Sequence, residues 1–190
     1  SLNQATARIF PLETGERVFS SETGQLQSTG LETDVAMLNG AYLFIQPPDG
    51  EVALSRRGDF GVDIENRLVD GVGNLILSDG LQPIILPPFT AIKFSDNGEV
   101  LVHQPGALPG DFTSLGFLGS ASPPTNSLTK SLDGKIRNLD GSVPDVDQSG
   151  LFAQGVLEGS NVNAIEEMVF NMDMQRQFEI NVKLIKQAEE

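Results

Sequence analysis

A chain of 190 residues can hold one good core with an appendage, or two small modules. Its 26 acidic against 12 basic residues leave a net charge of −14, which argues against non-specific binding to a phosphate backbone, and the absence of cysteine excludes disulfides, thiolate metal sites and thiol nucleophiles. No apolar run approaches the ~18 residues of a membrane span, and no basic stretch followed by an apolar one opens the chain, so neither membrane insertion nor a cleaved signal peptide is expected.

Residues 1–30 are polar, with Thr14-Gly15, Thr23-Gly24 and Thr29-Gly30 punctuating single apolar residues, and read as an extended lead-in. With Ser at the first position and no initiator Met, the sequence is expected to be a trimmed piece of something longer. Residues 31–140 change texture: short apolar runs such as Tyr42–Ile45, Leu75–Leu77, Ala91–Phe94 and Val100–Val102 alternate with turn residues about every eight positions. That spacing predicts a mainly β fold, an antiparallel sandwich or barrel-like domain. Asn97-Gly98 is the strongest hairpin signal, because both residues tolerate the positive φ of a type I′ turn. Residues 141–160 read as an extended linker.

From residue 161 to 190 there is neither Gly nor Pro. Asn163 can cap the first free N–H groups of a helix and Glu166 can reach back, with Ser160 and Asn161 leading in. Ala164, Met168, Phe178, Val182 and Ile185 follow a three-to-four spacing, Ile165, Met172 and Ile180 broaden the stripe and Asn171 and Gln175 interrupt it, predicting one long C-terminal α-helix of roughly 40 Å. A long helix ending a β-patterned chain must pack on something. Another polypeptide segment is the expected partner; a helix lying on the chain's own β-core is the bland alternative.

Chemistry is hard to find. The single His103 ends an apolar run with no second His or Cys to share a metal, and reads as a strand-end residue. Asp145-Val-Asp-Gln-Ser-Gly150 copies the opening of a calcium loop, but Val156 stands where a bidentate Glu is needed, so a solvated loop is the better reading. Gly71-Val-Gly73 lacks the third glycine of a dinucleotide fingerprint and reads as a turn. Asp59 and Asp63 each lie beside a turn residue, with nothing to set them across a cleft. No enzyme activity, cofactor or metal is expected.

Three segments resemble a known family, the axial proteins of the bacterial flagellum and specifically the basal-body rod proteins of the proximal (FlgF) type, close to the distal-rod type and to hook proteins. The first is Gly24–Gly30 with Asp34-Val-Ala36. The second is Ser55-Arg-Arg-Gly-Asp-Phe60 with Arg67-Leu-Val69 and Gly73–Leu77. The third, the most specific, is Gln154-Gly-Val-Leu-Glu-Gly-Ser-Asn-Val-Asn163 followed by Glu166-Glu-Met168 and Gln175–Glu179. Asn39-Gly-Ala-Tyr42 departs from the usual Gly-x-Gly-(Phe/Tyr), Phe178 favours the proximal type, and the family's N-terminal helix is not seen.

The resemblance implies a non-enzymatic structural subunit of the basal-body rod, exported through the flagellar channel into the periplasmic rod. Its terminal helices would assemble into a hollow shaft for motility, with Met168, Met172, Phe178, Val182 and Ile185 as the assembly interface and Ser160, Asn161, Asn163 and Glu166 at the helix start. Implied partners are other rod and axial subunits and the missing N-terminal helix, in homo- and hetero-oligomers, with no nucleic acid. A secreted β-module that binds carbohydrate or protein is the rival, disfavoured by one Tyr and no Trp.

Overall fold

The computed structural model describes residues 24–159. The largest sheet has eight strands. Along its path run β12 (Leu128–Lys130), β13 (Ile136–Asn138), β4 (Ala53–Ser55), β3 (Tyr42–Gln46), β7 (Leu75–Ile76), β6 (Leu68–Val69) and β5 (Gly61–Val62), with β11 (Ser120–Ala121) also paired to β3. A three-stranded sheet orders β10 (Phe112–Phe117), β9 (Glu99–His103) and β8 (Ala91–Phe94). Two further ladders join distant parts of the chain: β2 (Val35–Met37) with β14 (Phe152–Gln154), and β1 (Leu26–Ser28) with β15 (Val156–Glu158). Every pairing of named strands is antiparallel.

Strand β3 shows why the sequence folds this way. Side chains alternate faces along a strand, yet Tyr42-Leu-Phe-Ile45 is continuously apolar, so both faces must be buried. Leu43 and Ile45 enter one core with Val35, Met37, Phe60, Ile92, Phe94, Val100, Val102 and Phe152, which ties the three-stranded sheet and the β2–β14 ladder to the large sheet. Tyr42 and Phe44 enter a second core with Leu54, Leu77, Ala121 and Leu128. Phe44 is fully buried between its neighbours. The three-stranded sheet follows the other rule, with Ile92, Phe94, Val100 and Val102 turned inward while Lys93 is exposed and Leu101 half-buried.

One turn design recurs. In residues 63–67, 70–74, 78–82, 95–99 and 131–135 the first N–H bonds to the fifth carbonyl and the fourth N–H to the first carbonyl. The fourth residue is left-handed each time: Asn66, Gly73, Leu81, Gly98 and Gly134. This is the three-residue hairpin loop, a type I turn closed by a left-handed residue. The expected hairpin at Asn97-Gly98 therefore forms between β8 and β9, but not as type I′: Gly98 has φ 88° while Asn97 is not among the positive-φ residues. A Cβ on Gly98 would lie 2.8 Å from the ring of Phe152, so close packing also demands glycine there.

The fold class needs correcting in one respect. Among the described residues there is no α-helix, only a short 3-10 turn at Thr125–Ser127, and the fold is mainly β. The long C-terminal α-helix read from the apolar spacing is not seen; that reading fell on residues 161–190, outside the described residues. Spacing alone says which residues share a face. It does not supply the partner that makes a helix form.

Candidate assembly site

The two ends of the described domain meet. In the β1–β15 ladder Leu26 pairs with Glu158, Gln27 with Leu157 and Ser28 with Val156. At its far end the Gly159 N–H donates to the Gln25 carbonyl at 2.8 Å, and the Gly24 N–H donates to the Glu158 carboxylate. Gly24 and Gly159, the first and last described residues, thus lie at adjacent points on the same ladder. All three β1 residues are exposed. A two-stranded ribbon with so little cover is marginal alone and needs anchoring at its root.

The root is well anchored. Between β14 and β15 the chain bends at Gly155, with φ 76°, and its carbonyl accepts from both Thr29 and Gly30 while its N–H donates to Asp34. Gln154 acts as a clamp: its side-chain NH₂ donates to the carbonyls of Glu32 (2.8 Å) and Ile92 (2.9 Å), and its side-chain oxygen accepts from the Phe94 N–H (3.3 Å). One side chain therefore binds the ribbon to strand β8 and to the incoming chain.

The Ser55–Phe60 motif packs beneath. Asp34 and Asp59 form an antiparallel bridge, closed by Val35 N–H to Gly58 C=O and Phe60 N–H to Thr33 C=O. A Cβ at Gly58 would fall 1.5 Å from the Val35 carbonyl oxygen, so no other residue fits. Arg57 grips Asp59 with two 2.8 Å bonds. Burial nevertheless outweighs that pairing and pushes the Asp59 carboxyl up to about 6, with nearby Asp70 adding to the rise. Phe60 stacks edge-on against Phe94 at 5.4 Å. Arg56 lies 4.5 Å over the Tyr42 ring and donates to the Gly40 carbonyl.

Asp34 is 1% exposed, and neither of its carboxylate oxygens has a hydrogen-bond partner. Burial raises its pKa.

The residues expected to form the assembly interface (Met168, Met172, Phe178, Val182, Ile185) and those at the expected helix start (Ser160, Asn161, Asn163, Glu166) lie outside the described residues. The other candidates are placed. His103 is held at both ring nitrogens, by the Thr90 hydroxyl at 2.8 Å and the Leu108 carbonyl at 3.0 Å, and pins the 104–111 loop. Asp59 and Asp63 are not brought together as a pair: Asp59 takes Arg57 and Asp63 takes Arg67. The Gly71–Gly73 turn folds around buried Asp70, whose carboxylate accepts from the N–H groups of Val72 and Asn74.

The Asp145–Gly150 loop is a strap across β11. Asp147 accepts from the Ser122 N–H, and Gln148 accepts from Ser120 and donates to the Leu118 carbonyl. Among the described residues no group of three or more His, Cys, Asp or Glu is arranged to hold a metal. In the sequence Gln154 and Gly155 stand out only as the opening of the third family segment; the bend and the clamp they form depend on distant partners, with a lone glycine between two β-like triplets as the local signal.

Comparison with known proteins bears on this site directly. Residues 153–190, which begin in β14 and run through the ribbon, match the family described as flagellar basal body rod FlgEFG protein C-terminal. Over 181 residues the chain is 34% identical to the flagellar basal-body rod protein FlgG of Borreliella burgdorferi, covering 92% of this chain and 66% of that protein. It is 30% identical to the rod protein FlgF of Salmonella typhimurium (88% of this chain, 68% of the relative). It is also 30% identical to the FlgG of Buchnera aphidicola subsp. Acyrthosiphon pisum (100% and 75%). The chain thus spans about two thirds of the length of the first two relatives and three quarters of the third. With the ladder, the clamp and the Ser-Arg-Arg-Gly-Asp-Phe packing all falling within these matches, the chain belongs to the FlgF/FlgG family of flagellar basal-body rod proteins.

Proposed function

We propose that the chain is a non-enzymatic structural subunit of the flagellar basal-body rod, and that its terminal segments build the shaft while the β-domain is carried beside it. The observation that supports this reading is the β1–β15 ladder, which brings Gly24 and Gly159, the two ends of the described domain, to one place. Segments that start together can act as one unit of assembly. The match of residues 153–190 to a rod-protein family supports the same division of labour, since it runs from β14 through β15 into the C-terminal segment as one unit.

In this reading Met168, Met172, Phe178, Val182 and Ile185 are covered by neighbouring subunits or by the chain's own N-terminal segment. Ser160, Asn161, Asn163 and Glu166 set the direction in which the segment leaves Gly159. Each large apolar side chain so buried contributes about 1.5–3 kcal/mol, and repetition in every subunit stiffens the whole. The chain works in the basal-body rod with other rod subunits as its partners. Phe178→Asp tests it: the purified variant should melt like the wild type yet fail to enter rods, leaving cells non-motile. A variant that still builds rods and swims would refute the assignment of that residue to the interface.

A further inference from the structure

An open groove of about 530 Å³ lies beside the 145–150 strap, lined by Pro123, Pro124, Leu139 and Pro144 and by Asp140, Asp145 and Asp147. Asp147 is committed to the strap and Asp140 to Ser142. Asp145 is exposed and makes no hydrogen bond or ion pair among the described residues. An apolar slot with one free carboxylate suits a lysine, whose stem is apolar and whose tip is charged.

Three of the described cations are paired with carboxylates close in sequence: Arg57 with Asp59, Arg67 with Asp63 and Glu65, Arg137 with Asp133. Lys93 is the contrast. It stands exposed on the outer face of the three-stranded sheet, in register with half-buried Leu101, and has no carboxylate within ion-pair distance among the described residues. A shaft repeated from like copies needs two different, complementary patches on each copy.

We propose that the groove receives Lys93 of a second copy of this chain, with Asp145 as its counter-ion and Leu101 against the prolines. This rests on the rod-subunit reading. The test uses purified basal bodies containing the full chain. Carbodiimide, which joins a carboxylate to an amine only in close contact, should link Asp145 of one copy to Lys93 of another, mapped by mass spectrometry. In cells that also express the wild type, Asp145→Lys and Lys93→Glu should each enter rods about fivefold less often, the scale of an exposed ion pair near 1 kcal/mol. The double variant, expressed alone, should recover, and thermal melting of all three should match the wild type. Undiminished entry of both single variants, or a link from Asp145 to a different protein, overturns the contact while leaving the subunit itself in the rod. Absence of the chain from basal bodies overturns both readings.

Discussion

Two positions at the root of the ribbon show how a residue type is forced by its surroundings. Gly58 has no room for a methyl group, because the Val35 carbonyl already occupies that space. Gly58→Ala should therefore cost about 4 kcal/mol or more in urea unfolding, or prevent folding. Asp59 gives a pH signature. Its folded-state pKa of about 6 lies above the ordinary 3.8, so the folded chain binds the proton more tightly than the unfolded chain does. The associated stability is present below pH 4 and is lost as pH rises through 6, on the order of 2–3 kcal/mol. Asp34, raised in the same direction by burial, adds to the decline. Asp59→Asn should flatten the fall in stability between pH 4 and 6; an unchanged profile would assign the titration elsewhere. None of this was legible beforehand. Asp59 and Gly58 sit in a polar, turn-like stretch, and burial of such a stretch is decided by Val35 and Phe60 on either side, not by its own composition.

At the level of elements, the apolar runs were a good guide because period-two burial leaves a direct trace. The unbroken Tyr42–Ile45 run, read as one of the β-type runs, proves to be a strand covered on both faces, and Phe44→Ala should cost about 3–5 kcal/mol by emptying the second core. Turn positions were legible too, but not turn geometry. Asn-Gly is compatible with several hairpin loops, and the further demand for glycine at 98 comes from Phe152, which packs on it from a strand more than fifty residues away. Gly98→Ala should lose about 2–4 kcal/mol, from the left-handed φ and the ring contact together. The clamp at Gln154 belongs to this scale as well. Gln154→Leu leaves the Phe94 N–H and the Glu32 and Ile92 carbonyls without their partner, and should cost about 2–3 kcal/mol while loosening hydrogen-exchange protection in β1 and β15.

For the whole molecule, the consequential fact is long-range and invisible to any local pattern: strands separated by some 130 residues close the domain and bring its described ends, Gly24 and Gly159, together. The sequence carried the family resemblance in Gln154–Asn163 and in Ser55–Phe60, and comparison places the chain among the FlgF and FlgG rod proteins. The expected helix of 161–190 was a different kind of inference, drawn from spacing without a partner, and the described fold is mainly β without it. The most direct measurement exploits the absence of cysteine in the chain. Ser28 and Val156 face each other in the ladder, so Ser28→Cys with Val156→Cys should form a disulfide once the subunit has left the reducing cytoplasm. In purified basal bodies the doubly substituted subunit should be present and internally cross-linked, in cells that still swim. Free thiols in assembled rods, or exclusion of the cross-linked subunit from them, would contradict a rod subunit whose two ends depart together from that ladder.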